Sequence, residues 1–348
     1  MNIFSETKKT LEKKLPFVIY RKPNTTIIKA WFQENDNLYT SENYTESGFI
    51  FAPFDNKDIS ILLPKSKSIF MQEEVDLENN TVKEYKNYSS SSSETMHIEL
   101  VQKGIKAIDD NLFKKVVLSR KEEIKLTNFN PVETLQKLLK SYPTAFTYLW
   151  FHPKVGMWLG ATPETLVKIK GNNFKTMSLA GTQVFKNTLN VTWQTKEIEE
   201  QQFVTDYIND RISNISNNIK ISKAETIKAG KLLHLRSVIT GEINSKNATL
   251  IKTLHPTPAV CGLPLESSKK FILNNENYKR TFYTGFLGEL NLDKNNENTS
   301  ELFVNLRCME IKNNSAFVFV GGGITIDSNP KSEWEETIAK TSTMRKVL

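Results

Sequence analysis

The sequence predicts an α+β fold built on antiparallel sheet. Short β-type runs outnumber helical patterns and do not alternate with them as βαβ units would. Several of these runs are separated by tight turns, the connection that joins antiparallel neighbours. The glycines form no G-x-G-x-x-G or G-K-[ST] pattern, so a nucleotide-binding α/β layout is not expected.

The opening stretch MNIFSETKKTLEKKLPFVIYRKP is interrupted by charges and lacks an apolar run of signal-peptide length. No stretch approaches the roughly 18 apolar residues that span a bilayer. The serine run 89–93 reads as a flexible joint before the helical pattern HIELVQKGIKAI. Strand patterns follow in KVVLSR, FTYLWF, GMWLG, TLVKIK and FKTMSLAG. Helical periodicity covers roughly 196–219 and 224–236. The first of these helices carries an apolar stripe through Val204, Ile208, Ile212, Ile215 and Ile219, and four residues before Val204 stands Glu200. A carboxylate that continues a buried stripe needs a cation or a metal; otherwise it is a helix-end glutamate in solvent. TFYTGFLGEL, ELFVNLRCMEI and AFVFV complete the strand patterns, with polar 292–301 as a surface hairpin loop.

A last helix is expected over 330–344. Asn329 suits the N-cap and Pro330 the first helical position. On it Glu333, Glu336 and Lys340 share one face, while Trp334 and Ile338 anchor the neighbouring stripe. Gly321, Gly322 and Gly323 precede it and let the backbone approach a partner closely. Such a surface suits a small anionic ligand, with carboxylates for a metal and a lysine for the ligand's charge. The plainer alternative is a solvated helix whose Glu336–Lys340 pair contributes about 0.2–0.5 kcal/mol.

Composition bounds the partners. A chain of 348 residues, 39% hydrophobic and 24% charged, supports one large domain or two modest ones. Cys261 and Cys308 have no metal-ligand spacing and are expected reduced and buried in a cytoplasmic protein. The net charge of +7 is scattered among asparagines and glutamates, and the aromatics sit within apolar runs. Neither feature fits nucleic-acid binding, whereas an anionic small molecule does fit.

Eight stretches taken together resemble one family. In order they are KVVLSR, GATPETL, SLAGTQ, KEIEEQQFVTDYI, LHPTPAVCGLP, FYTGFLGEL, VNLRCMEI and GGGITIDSNPKSEWEETIAK. They are similar to the motifs of the chorismate-binding enzymes, which include isochorismate, salicylate, anthranilate and aminodeoxychorismate synthases. The resemblance covers residues 112–348, and residues 1–95 carry no diagnostic motif. It implies a single chorismate-binding domain, 1–348, with large antiparallel sheets flanked by helices around a central active site. It also implies the dianionic substrate chorismate, Mg2+ and a monomer. Position by position, Glu200 and Glu336 resemble the metal ligands, with Glu333 close by. Arg307 and Lys340 resemble the partners of the substrate carboxylates, and Tyr283 a hydrogen-bond donor. Gly181, Thr182 and Gly321 resemble close backbone contacts.

The resemblance also selects a branch. Lys115 matches the base of the members that use water, and Glu164 matches the general acid. Lys115 must then be neutral, which burial and nearby positive charge favour; Glu164 must hold a proton, which an apolar or anionic site favours. Ala180 stands where aminodeoxychorismate synthase has a lysine nucleophile. Ala259, followed by Val260, stands where salicylate synthases place threonine. The branch expected is therefore isochorismate formation, and the short chain without an appended domain favours menaquinone over siderophore supply. Gln201 replaces a family histidine, and Gly288-Glu289 replaces the end of the family's G-x-x-G-W segment. His234 and His255 sit at family-like places.

Overall fold

A computed structural model of the chain describes residues 2–75, 91–229 and 232–348. The first third contains α1 (Ile3–Glu12), β1 (Phe17–Arg21), β2 (Ile27–Gln33), β3 (Tyr39–Ser41), β4 (Gly48–Ala52), β5 (Ser60–Pro64), β6 (Ser68–Glu74) and α2 (Ser91–Asp109). Next come β7 (Lys115–Lys125), α3 (Pro131–Ser141), β8 (Phe146–His152), β9 (Gly156–Thr162), β10 (Thr165–Lys170), β11 (Asn173–Val184), α4 (Thr195–Ile212), β12 (Ser216–Ile221), β13 (Glu225–Ala229) and β14 (Leu232–Ile243). The remainder is α5 (Asn247–Leu254), β15 (Gly262–Leu263), α6 (Leu265–Asn275), β16 (Phe286–Lys294), β17 (Glu297–Val304), β18 (Cys308–Lys312), β19 (Ser315–Ile324) and α7 (Pro330–Arg345).

The strands form two large antiparallel sheets, so the α+β expectation holds. One runs β15-β7-β19-β18-β9-β8-β1-β2-β6; the other runs β12-β14-β11-β10-β17-β16-β4-β5-β3, with β13 also on β14. The sheets meet through an aromatic core. Tyr20, Trp150 and Trp158 of the first face Phe49, Phe51 and Phe303 of the second. Phe146 stacks on Phe303 at 4.2 Å, an offset geometry that aromatic pairs favour. The outer face of the first sheet is covered by α1, α3 and the C-terminal residues through Ile3, Leu138 and Met344. That of the second is covered by α4 and α5 through Val204, Ile208 and Leu250. Strands from the first 75 residues therefore enter both sheets.

Several expected elements are revised. Where a helix was expected over 224–236, the described residues form β13 and the start of β14, because Leu233, Leu235, Ser237 and Ile239 are buried at period two and β14 pairs with β11. The preceding helix stops at Ile212, and 216–221 pairs with β14 as an edge strand. ELFVNLRCMEI is not one strand. The chain leaves the second sheet at Val304 and enters the first at Cys308. The buried amide of Asn305 holds this crossing: its Oδ1 accepts from Tyr148 Oη at 2.7 Å and its Nδ2 donates to the Phe282 carbonyl at 2.9 Å. TFYTG forms a turn, and the strand begins only at Phe286. The expected loop 292–301 shrinks to Asn295 and Asn296, both at positive φ, which asparagine tolerates in tight hairpins. Of the serine run, Ser91–Ser93 belong to α2, while 89 and 90 lie outside the described residues.

Other expectations hold. Asn329 caps α7, accepting from the amides of Lys331 and Ser332. Both cysteines are free and buried. Glu289, at the unusual end of the G-x-x-G segment, is neutralised by Lys22 at 2.9 Å and Lys29 at 3.0 Å, and accepts from Tyr20 Oη at 2.7 Å. Among the described residues no helix is long and apolar enough to cross a membrane.

Candidate active site

A cavity of about 140 Å3 opens where β7 and β19 of the first sheet approach β11 of the second, with α4 and α7 at its sides. Twelve of the residues singled out from sequence line it: Lys115, Glu164, Ala180, Gly181, Glu200, Ala259, Val260, Tyr283, Arg307, Gly321, Glu336 and Lys340. Thr182 lies beside Gly181 in β11, where the β11–β14 register shifts between Ala180 and Gln183. Gly181 itself has φ +69, a conformation that favours glycine. Glu333 stands just outside: its Oε1 accepts from Ser328 Oγ at 2.8 Å.

The glycines of β19 answer to specific neighbours. β19 pairs with β7 so that Gly321 faces Ser119 and Gly323 faces Val117. A Cβ at Gly321 would sit 2.6 Å from the Leu118 carbonyl oxygen and 3.1 Å from Tyr283 Oη. One at Gly322 would come within 3.0 Å of Glu333 Oε2 and 3.8 Å of Glu336 Oε1. One at Gly323 would lie 2.9 Å from Lys115 Cε and 3.7 Å from Glu200 Oε1. Bare backbone is thus what lets two helices bring carboxylates to one strand end.

The charges are arranged in pairs. Lys115 Nζ lies 2.6 Å from Glu200 Oε1. Lys340 pairs with Glu336 and also donates to the Gly321 carbonyl at 2.8 Å. Burial alone would raise the Glu336 carboxyl, but the charge and hydrogen bond of Lys340 bring it below its usual value. Glu164 has no such compensation. Burial lifts it to about 7, and Lys115 opposes this only in part. The expected positive neighbour of Lys115 is replaced by a carboxylate, because α4 delivers Glu200 directly to it. An ammonium so paired has donors and no acceptor. Arg307 reaches the cavity from the crossing between sheets at φ 47, and burial lowers its pKa. Burial raises the Tyr283 hydroxyl.

Two histidines resolve differently. His234 lines the cavity, and burial lowers it to about 4. Its Nδ1 lies 2.9 Å from the Gly181 carbonyl oxygen, an acceptor only, so Nδ1 carries the proton. His255 is bonded to the Pro53 carbonyl at 2.9 Å, away from the cavity. Gln201 also points away: its Nε2 lies 2.9–3.0 Å from the hydroxyl oxygens of Ser178, Thr205 and Ser237, among which its two protons are shared, and ties α4 to β11 and β14. Gly322 and Gly323, read from sequence as bare backbone, also line the cavity. Val117, Pro163, Leu179, Thr284, Leu306, Phe319 and Val320 complete the wall without having been singled out; adjacency to Glu164, Ala180, Tyr283, Arg307 and Gly321 was the available signal for most of them.

A sequence model described as chorismate binding enzyme matches residues 52–348. The chain belongs to that family. Among curated chorismate-binding enzymes it is similar to isochorismate synthase DhbC of Bacillus subtilis, 29% identical over 270 residues that cover 71% of this chain and 66% of the relative. It is 30% identical to isochorismate synthase EntC of Escherichia coli over 248 residues, 67% of this chain and 62% of that one. The chain thus spans somewhat less than two thirds of the length of these two relatives. In fold it is similar to MenF, the menaquinone-specific isochorismate synthase of Escherichia coli, with TM-score 0.82, 20% identity, and coverage of 100% of this chain and 91% of that one.

The family implies Mg2+. Glu200 and Glu336 fit it: both are oxygen donors on one cavity, come from different helices, and have no intervening side chain at Gly322 or Gly323. Magnesium keeps several waters and is commonly held by one or two carboxylates plus the ligand. Among the described residues no group of three or more His, Cys, Asp or Glu side chains is gathered closely enough to form a fuller cage.

Proposed function

We propose that the chain is an isochorismate synthase, a Mg2+-dependent isomerase that converts chorismate to isochorismate. The observation that carries this is the convergence of Lys115 and Glu164 on the cavity that Arg307, Lys340, Glu200 and Glu336 also line. Lys115, once parted from Glu200 and deprotonated, takes a proton from water as its oxygen bonds to C2. Glu164, raised to about 7, gives its proton to the C4 hydroxyl, which departs as water while the ring double bonds shift. Arg307 and Lys340 receive the two substrate carboxylates, one by a planar fork and the other by a point charge. Tyr283 donates a hydrogen bond, and Gly181, Thr182 and Gly321 give close backbone contacts. Glu200 and Glu336, with Glu333 nearby, would hold Mg2+, which when bound would supply positive charge to a substrate carboxylate. Ala180 offers no nucleophile, and Ala259 beside Val260 offers no hydroxyl to assist pyruvate loss.

This chemistry is common to menaquinone and catecholate siderophore supply, so the proposal is made for the reaction itself. Chromatography of chorismate incubated with the protein and Mg2+ is expected to show isochorismate at equilibrium with substrate. Release of pyruvate with fluorescent salicylate, or no conversion at all, would overturn it.

A further inference from the structure

We propose that Arg280 is the positioning residue of this site, setting the distance between the strand that carries Lys115 and the Ala259–Val260 segment. Arg280 lies between α6 and β16, is 3% exposed, and does not itself line the cavity. Its guanidinium has five N–H groups, and each has an acceptor. Nε donates to Glu276 Oε2 at 2.8 Å and Nη2 to Glu276 Oε1 at 2.6 Å. Nη2 also donates to the Val117 carbonyl at 2.7 Å. Nη1 donates to the Val260 carbonyl at 2.9 Å and to Thr284 Oγ1 at 3.2 Å. The plane lies over the Phe54 ring at 4.6 Å. Glu276 extends the network by accepting from the Ser119 amide at 2.8 Å and Ser119 Oγ at 2.7 Å.

The destinations of these bonds are what matter. Val117, Val260 and Thr284 all line the cavity, and they come from three separate segments. Val117 is two residues beyond Lys115, so the two side chains leave the same face of β7. β15 pairs with β7 only at Lys115 and Val116, so Arg280 takes over where that ladder ends. The Arg280 carbonyl accepts from the Tyr283 amide at 2.9 Å, which adds a fourth cavity residue. Thr281 and Thr284 both have positive φ, 47° and 60°. A β-branched residue there is strained and persists only where its surroundings hold it. A buried Arg–Glu pair adds little net stability over apolar packing, yet five fixed donors, two on backbone carbonyls and three on side-chain oxygens, define a geometry that no apolar residue can. A displacement of about 1 Å at a catalytic group can cost about a hundredfold in rate.

The proposal rests on the isochorismate synthase assignment for its kinetic arm, and a second arm is independent of it. Arg280→Lys keeps the charge but loses the fork. The double variant Arg280→Met/Glu276→Leu removes both charges, so no buried carboxylate is orphaned. In both, kcat for chorismate is expected to fall about 30-fold or more while KM stays within about threefold, since Arg307 and Lys340 are untouched. Without substrate, hydrogen exchange is expected to quicken in β7 and around 259–263 and to stay unchanged in β8 and β9. A folded variant with kcat within threefold of wild type, or exchange unchanged in both segments, overturns the positioning role. Quickened exchange together with a wild-type protein that is inactive on chorismate would sink the functional assignment and leave the role of Arg280 standing.

Discussion

Glu164 offers a test in which stability and activity move in opposite directions. It is 6% exposed, and burial raises its carboxyl from 4.5 to about 7. Between those values the unfolded chain has lost the proton while the folded chain keeps it, so stability falls as pH rises through that window. At 1.36 kcal/mol per tenfold change, the full cost above pH 8 is about 3 kcal/mol. Glu164→Gln has nearly the same shape and nothing to ionise. Urea unfolding at pH 5 is expected to give similar free energies for both proteins. At pH 8.5 the variant is expected to be more stable by about 3 kcal/mol, because wild type alone carries the charge penalty. Its turnover should fall by about 10²–10⁴, since glutamine cannot give a proton to the leaving hydroxyl. In wild type kcat/KM should decline above about pH 7, as the protonated fraction of Glu164 disappears. A stability difference independent of pH, or a variant less stable at pH 8.5, would refute the account of a desolvated, uncompensated carboxyl.

Four further outcomes are expected. Lys115→Ala should lower turnover by about 10²–10⁴ with an unchanged circular dichroism spectrum; near-normal activity would remove Lys115 as the base. Gly323→Ala should leave the unfolding free energy within about 1 kcal/mol, because the new methyl meets the flexible end of Lys115 at 2.9 Å. The displaced amine should nevertheless cost about tenfold or more in kcat, read from initial rates. Glu336→Gln should raise the half-saturating Mg2+ concentration by about tenfold or more in a metal titration of activity, and chelation of Mg2+ should abolish wild-type turnover. Gln201→Leu should cost about 1–3 kcal/mol in urea unfolding through the lost hydrogen bonds of its amide to Ser178, Thr205 and Ser237, with the Mg2+ requirement shifted less than threefold.

What the sequence revealed best was chemistry attached to spacing. Glu333, Glu336 and Lys340 lie on one turn-and-cap pattern whose start, Asn329-Pro330, is written locally, and α7 forms as expected. Glu200 was legible as an interruption of an apolar stripe, and its partner proved to be Lys115. An apolar site for Glu164 was expected, but the ion pair at Lys115 was not, since only the packing of α4 on β11 and β14 brings Glu200 to it. The run 224–236 was misread because leucines at 232, 233 and 235 fit helical spacing as well as alternation; pairing with β11 decides between them. Arg280 and Glu276 carry no signal in one dimension. Their meaning lies in carbonyls from residues 117 and 260, which only the fold brings within reach.

The pairing of β7 with β19 also bears on how the molecule is made. Lys115 to Lys125 are synthesised some two hundred residues before their main neighbours, Ser315 to Ile324. Until then only Gly262 and Leu263 edge this strand, leaving most of its length an open template for other chains. Ring closure over so long a separation is slow, and the exposed intermediate invites aggregation. A ribosome-bound chain that has not yet reached Ser315–Ile324 therefore holds Lys115 without its glycine floor.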